Sequence, residues 1–320
     1  MITRYIRLSQ HARVFRSLTG LRVAEFDELM DEMVLRFGQA EEQRLSRPGR
    51  QRGIGGGPRF ELTPRNQFLL TIVWLRVSRP STFGTGYPTH EVLGYLFGVS
   101  AITAGRYLKR CLPLLEAAGR DTMRMPDPGK KRRRQLDDLL RDTPELAVVI
   151  DTFEQRVQRP REREKANRYY SGKKKQHTLK SQVAVDENTG AVVDVAASVC
   201  GPTADLTLLK QSTLLERLPA GVGGIADLAY VGIANSHPTG LAASPRRKPR
   251  DKPRPEADVI YNRAFSKRRI VVEHSIGRMR RYQAITQPDR HHRQYHTARV
   301  VAIAGLVNLQ IRSRPPVYYC

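Results

Sequence analysis

The chain has 320 residues, enough for a substantial core plus a smaller module, and its 55 Lys+Arg against 31 Asp+Glu leave a net charge of +24. Such an excess opposes compaction by self-repulsion and fits a polyanionic partner, nucleic acid ahead of a membrane surface. The longest apolar stretches, residues 68–75 and 300–311, fall well short of the roughly 20 residues of a spanning helix.

The N-terminus, MITRYIRLSQHARVF, has neither an uninterrupted apolar run nor an evident cleavage site. Cys111, Cys200 and Cys320 are widely spaced and form no CxxC pair, so no zinc site or disulfide framework follows. A protein of a reducing cytoplasm is expected, with any metal held by oxygen ligands and no membrane partner.

Between Leu21 and Phe37, apolar residues recur at Val23, Phe26, Met30, Val34 and Phe37, the spacing of an amphipathic helix that packs on its own chain or on a second copy. Glycine, proline and arginine then break the pattern over residues 46–59, a linker or basic strap. Thr63 and Pro64 have the chemistry of an N-cap and first helical residue, opening a helix that runs to Val77. After a Gly/Pro/Ser/Thr-rich loop, residues 89–111 (THEVLGYLFGVSAITAGRYLKRC) carry helix-turn-helix spacing. Thr89 and Ser100 cap the two helices, Gly94 permits their close approach and Gly98 takes the left-handed turn position. Ala101, Thr103, Arg106, Lys109 and Arg110 offer the second helix a small, polar and basic surface for the major groove. An ordinary helical hairpin has the same pattern.

The texture changes after the basic loop 126–135 and a short helical run, QLDDLLRD. Residues 145–153 read as a strand, and 179–186 and 191–199 as a hairpin closed by the turn ENTG. A helix over Leu206–Leu215, short strands at 221–230 and 240–244, a basic proline-rich loop at 245–255, a long helix and a last buried helix at 293–312 complete the chain. This order describes an α/β mixed sheet flanked by helices, preceded by an all-α N-terminal region with the helix-turn-helix. The expected divisions are residues 1–60 (helical segment and basic linker, possible dimer contact), 61–125 (DNA binding) and 140–313 (catalysis).

Asp151 ends the run LAVVI and Asp227 ends GVGGIA, so both leave buried strands where a mixed sheet gathers ligands. Glu273 lies in RRIVVEHSIGRMRRY, on a helix face with Arg269, Gly277 and Arg280, beside an apolar stripe of Val272, Ile276 and Met279. Read alone, it is the partner of Arg269 one turn earlier. Read with the two aspartates, it is a third carboxylate in a cluster whose mutual repulsion calls for a hard cation. Two Mg²⁺ ions about 4 Å apart, replaceable by Mn²⁺, activate an attacking oxygen and stabilise a leaving one in phosphodiester chemistry. Among the competing carboxylates, Asp205 has the place of an N-cap, Asp186 adjoins the hairpin turn, and Asp194, inside a strand, is the second choice as a ligand.

From VVIDTFEQRVQRP through YYSGKKKQHTLKSQVAVD, GPTADLTLLK, IADLAYVG and RRIVVEHSIGRMRR to IAGLVNL, the chain resembles a DDE transposase of the insertion sequence 5 type. The resemblance covers most of residues 60–312 and implies a ribonuclease H-like catalytic domain. It places the catalytic and metal-binding triad on Asp151, on Asp227 with Tyr230, and on Glu273 with Arg269 before it and Arg280 after. The chain departs from the family's pattern at Ser266, where many relatives have tyrosine, at Thr152-Phe153 and at Ala204-Asp205.

Residues 156–180 hold ten Lys/Arg and two Glu. Lys173, Lys174 and Lys175 suit phosphates, Tyr169 and Tyr170 suit stacking on an unpaired base, and His177 suits a phosphate or a water; the tyrosines suit a core equally. The resulting expectation is a bacterial insertion-sequence transposase in the nucleoid. It would bind double-stranded transposon ends and target DNA as a homodimer or larger assembly, and perform Mg²⁺-dependent cleavage and 3′-hydroxyl strand transfer. A DNA-binding protein that recognises ends without cutting, and a structure-selective nuclease of the same fold, are the alternatives.

Overall fold

The computed structural model describes residues 3–46, 60–77, 88–129 and 138–313, with positions 49, 51, 53 and 136. The N-terminal part is helical throughout: α1 (Tyr5–Leu8), α2 (Ala12–Thr19), α3 (Val23–Leu45), α4 (Pro64–Arg76), α5 (His90–Phe97) and α6 (Ala101–Asp121). The expected helix from Leu21 extends two turns beyond Phe37, and its apolar residues Phe26, Met30, Met33 and Phe37 are buried. Most of the expected linker at 46–59, the loop at 78–87 and the arginine run at 131–135 lie outside the described residues.

The turn chemistry read from residues 89–111 is present in full. Thr89 accepts from the Val92 amide and Ser100 from the Thr103 amide, and Gly98 has φ 59°. A Cβ at Gly94 would come within 2.5 Å of the Val99 carbonyl oxygen, so only glycine lets the two helices meet.

Beyond residue 145 follow β1 (Leu146–Arg156), α7 (Arg163–Tyr169), β2 (Tyr170–Ser171), β3 (Gln176–Asp186), β4 (Val192–Val195) and β5 (Val199–Cys200). Then come α8 (Asp205–Ser212), β6 (Val222–Ile225), β7 (Ala242–Ala243), α9 (Glu256–Met279) and α10 (His296–Arg312). The sheet runs β2-β3-β1-β6-β7, with β4 and β5 also paired to β3. β1 is antiparallel to β3 and parallel to β6, and β7 continues parallel to β6. This is a mixed sheet flanked by helices, a ribonuclease H-like arrangement behind an all-helical N-terminal region.

Strand lengths differ from the sequence reading in ways that shape the site. β1 runs five residues past Asp151, because its antiparallel ladder with β3 continues to Arg156 opposite Thr178. β6 ends at Ile225, and residues 228–230 form a 3₁₀ turn instead of more strand. The segment 191–199 divides into β4 and β5 because Ser198 leaves the ladder. Its hydroxyl bonds Ser181 and His296, and its amide donates to Thr297.

Alternation along β1 divides the core. Ala147, Val149 and Phe153 face α9, α10 and the N-terminal helices in one continuous cluster, while Val148 and Ile150 face Leu209, Leu214, Leu215 and Tyr230 on the other side. The helix-turn-helix is tied to the sheet layer where α6 crosses α10. A Cβ on Gly305 would lie 2.4 Å from the Gly119 Cα, and one on Gly119 would lie 2.6 Å from the Val301 carbonyl oxygen. Among the described residues no helix is long and apolar enough to cross a membrane.

This crossing tolerates no added atoms. Gly305→Ala is expected to destabilise the protein by about 1–3 kcal/mol through overpacking. Gly277→Ala, whose Cβ would enter open space on α9, is expected to be neutral or to stabilise by about 0.5–1 kcal/mol. Denaturant unfolding of the two variants measures the contrast.

Candidate functional site

The site begins with strand register. Val149 of β1 stands opposite Ile225 of β6 in a parallel ladder, and Asp151 and Asp227 each lie two residues further on. Side chains two apart share a face, and adjacent strands are about 4.8 Å apart, so the two carboxylates leave the sheet side by side. β6 has ended by this point while β1 continues, which opens a cleft beside Asp151.

Each aspartate is held by its own backbone. The Thr152 amide donates to Asp151 Oδ1 at 2.7 Å, and the Ala229 amide donates to Asp227 Oδ1 at 2.9 Å. Tyr230, fully buried behind the 3₁₀ turn, anchors the segment that carries Asp227. Desolvation, with Asp227 and Asp205 nearby, pushes the Asp151 pKa up to about 6 despite the Thr152 amide and Arg269. The Arg269 guanidinium reaches Asp151 only at 3.9 Å. The pair is therefore short of positive charge, the electrostatic setting of a hard divalent cation with oxygen ligands.

Glu273 is exposed on α9, one turn beyond Arg269. The same helix stripe meets β1 at two points, Arg269 beside Asp151 and Arg280 over the Phe153 ring at 5.9 Å, and Glu273 lies between them. The local pairing of Arg269 with Glu273 is not formed: Arg269 turns to Asp151, and no ion pair engages Glu273 among the described residues. Three acidic groups close enough to form a ready-made metal cluster are likewise absent among the described residues. The fold thus sets Asp151 near Asp227 and brings Glu273 to the same side without closing the trio.

A recess of about 270 Å³ opens beside the aspartates, lined by Asp227, Leu228, Pro245, Arg254, Asn262, Ser266 and Arg269. The smaller side chain at Ser266 therefore faces the cleft. Arg254 brings the basic loop 245–255 into this wall, a contribution that its position in a long arginine-rich stretch did not single out.

Other carboxylates are committed elsewhere. Asp205 is the first residue of α8, and Ala204 holds the cap position. The Asp205 carboxylate instead accepts from Lys180 Nζ at 2.7 Å and from the Thr152 hydroxyl at 3.1 Å. This pair flanks Asp151 from the opposite face of β1, and Lys180, a lysine in the interior of β3, was its sequence signal. Asp194 pairs with Arg217 at 2.9 Å and is no ligand candidate. Asp186 closes the hairpin turn through the Asn188 amide, as its place predicted.

Among the residues expected to meet DNA, Arg106 and Lys109 are exposed on α6. Arg110 corrects the expectation: it turns inward, pairs with Glu41 of α3 at 2.9 Å and stacks over Phe60 at 4.5 Å. Ile102, 69% exposed, shares the outer face of α6 with Arg106 and Lys109 at helical spacing and was not among the residues expected there. Lys173, Lys174 and Lys175 lie exposed in the turn before β3, and Tyr170 is exposed beside His177 with ring centroids 5.5 Å apart. Tyr169 is half-buried beneath Arg293, whose guanidinium lies 4.2 Å from its ring. Desolvation and the nearby Arg159 and Arg293 lower the His177 pKa.

The raised Asp151 pKa has a definite sign. Ionisation is harder in the folded than in the unfolded chain, so this group's contribution to stability is fullest below about 3.8 and is lost as pH rises through about 6. In metal-free protein at pH 7, Asp151→Asn is expected to be more stable than the wild type by on the order of 2–3 kcal/mol. The gap closes in acid, as thermal unfolding across pH would show.

Residues 150–308 match the DDE superfamily endonuclease family, and residues 86–121 match the helix-turn-helix of DDE superfamily endonucleases. Over 300 residues the chain is 26% identical to a probable transposase for insertion sequence element IS702 from Microchaete diplosiphon, covering 94% of this chain and 95% of that protein. No solved structure matches. With both matched regions in the expected order on one chain, the protein belongs to the DDE superfamily of endonucleases, with that superfamily's helix-turn-helix.

Proposed function

We propose that the chain is the transposase of a bacterial insertion sequence. It binds the terminal inverted repeats of its element, cleaves strands with Mg²⁺ and directs 3′-hydroxyl attack on target DNA. The observation that carries this reading is the side-by-side emergence of Asp151 and Asp227 from β1 and the end of β6, in a cleft whose wall includes Arg254 and Arg269. The protein acts at the nucleoid in the cytoplasm as a homodimer or larger assembly, since two ends are cut together. Residues 61–125 recognise DNA, residues 140–313 cut it, and residues 1–60 join protomers.

Asp151, Asp227 and Glu273 would hold the metal, two Mg²⁺ ions with Mn²⁺ as substitute. Bound there, it supplies an activated water or 3′-hydroxyl and stabilises the departing oxygen. The protein's part is placement. Backbone amides fix both aspartates, Arg269 offsets part of their charge, and Arg254 and Arg269 receive phosphate oxygens in the recess. Glu273, exposed and without an ion pair among the described residues, would complete the set of oxygen ligands. Lys173, Lys174 and Lys175 neutralise backbone phosphates, Tyr169, Tyr170 and His177 contact the strand end, and Arg280 extends the basic path along α9.

Mg²⁺-dependent nicking of duplexes carrying the element's ends tests the reading. Asp151→Asn, Asp227→Asn and Glu273→Gln are each expected to lose at least about 10²-fold in rate. Full activity in Glu273→Gln would remove that residue from the site, and cutting without joining from a 3′-hydroxyl donor end would identify a nuclease instead. For recognition, Arg106→Ala is expected to weaken end binding by about 1–3 kcal/mol. Arg110→Ala should lower thermal stability, with little change in affinity, because its partners are Glu41 and Phe60.

A further inference from the structure

A second recess, of about 50 Å³, lies away from the carboxylates and is lined by Arg16, Arg76, Arg278, Arg281, Tyr282 and Gln310, with Gly20 at its edge. Drug-sized ligands need pockets of roughly 300 Å³ or more, so the recess has room for one small group. Four guanidinium groups meet there from three helices that end at this point: α2 with Arg16, α4 with Arg76, and α9 with Arg278 and, just beyond its end, Arg281.

Helix C-termini attract cations, which is the ordinary explanation for arginines in such places. Each terminus carries roughly −0.5 of an elementary charge, so three of them offset about 1.5 of the three positive charges on Arg16, Arg76 and Arg281 and leave about +1.5. Among the described residues no carboxylate forms an ion pair with Arg16, Arg76 or Arg281. Glu25, whose charge acts on Tyr282, is paired with Arg22 at 2.8 Å. Burial lowers the Arg76 pKa, Tyr282 offsets part of this, and the neighbouring Arg281 lowers it further.

An independent observation points the same way. Tyr282 is 1% exposed and lines the recess, and its hydroxyl is bonded by Gln310, another lining residue. Gln310 Nε2 donates to that hydroxyl at 2.9 Å and to the Gly20 carbonyl at 3.0 Å, and the carbonyl fixes which end of the amide faces inward. The tyrosine oxygen is therefore an acceptor, and its own proton has no acceptor among the described residues. A buried donor beside excess guanidinium charge calls for an anion. Gly20, at φ 80°, leaves room for this arrangement, since a Cβ there would lie 2.7 Å from the tyrosine oxygen.

We propose that this recess seats one phosphate of the DNA backbone, held by the arginines at the ends of α2, α4 and α9 and by the Tyr282 hydroxyl. The assignment rests on the reading of the chain as a DNA-binding transposase. Arg281 is eight residues from Glu273, roughly 12 Å along the axis of α9. A duplex lying along this helix would thus engage the carboxylates and the recess together, and would touch the N-terminal helix α2 as well.

Fluorescence anisotropy of the full chain on a random-sequence duplex, without divalent metal and across a range of salt, tests it. Arg16→Gln with Arg281→Gln alters two exposed side chains and leaves the fold intact. It is expected to reduce the slope of log affinity against log salt by about 0.9, the value of one phosphate contact. A control pair, Arg7→Gln with Arg13→Gln, removes equal charge outside the recess and should leave the slope unchanged. Tyr282→Phe should weaken binding several-fold at constant slope, since only a neutral donor is lost. A wild type that does not bind DNA would sink the transposase reading and this one with it. Wild-type binding with the same slope in the recess and control pairs would sink the recess alone. A thermal shift by inorganic phosphate that the recess pair abolishes, with the DNA slope unaltered, would assign the recess to a free anion and overturn the DNA assignment.

Discussion

The parallel ladder between β1 and β6 is the constraint on which the rest of the molecule depends. It sets Val149 against Ile225 and so delivers Asp151 and Asp227 together, two like charges that a folding chain would otherwise keep apart. Their cost is visible in the raised pKa of Asp151, and the surrounding structure contains rather than removes it. The Thr152 and Ala229 amides hold each carboxylate, and Arg269 stands at 3.9 Å, a partial offset. A site that fully neutralised its aspartates with arginine would have no use for a cation. This one retains its negative charge within a strongly positive protein.

The remainder of the fold supplies rigidity behind that spot and reach around it. Phe153 and Val149 share a single apolar cluster with α4, α6, α9 and α10, and the Gly119–Gly305 crossing brings the helix-turn-helix unit into backbone contact with the sheet layer. DNA recognition and the carboxylates are therefore parts of one packed body over the described residues. Behind β1, the Lys180–Asp205 pair and the Thr152 hydroxyl brace the strand from the opposite face. Arg268 does similar work for α9: it is 4% exposed, and it bonds Glu187 and the Pro144 carbonyl, tying the helix to the start of β1. Neighbouring arginines on one helix thus serve opposite ends, Arg268 structural and Arg269 at the cleft.

Local chemistry was legible in the residues themselves. Thr63, Thr89 and Ser100 cap helices because their hydroxyls reach backbone amides three residues away, Gly98 turns because it lacks a Cβ, and Asp186 closes a tight turn. Each of these depends on near neighbours in the chain. The two aspartates and the order of strands and helices were legible for a related reason: apolar runs mark buried strands, and a charge at their margin stands out. The arginine-rich helix around Glu273 was legible only as a choice between a local ion pair and a distant role.

What the sequence by itself determined was the class of elements, their order, their caps and the short list of acids worth weighing, since these follow from backbone propensity and charge pattern. Tertiary structure alone decided that β6 stops while β1 continues, that Arg269 turns to Asp151 instead of Glu273, that Arg110 faces Glu41, that Asp205 answers Lys180, and that four arginines from three helix ends converge around Tyr282. Those outcomes depend on register and packing between segments as much as 290 residues apart, Gly20 and Gln310 among them. A side chain's partner across that separation is selected by the geometry of the whole body, which no local stretch of sequence encodes.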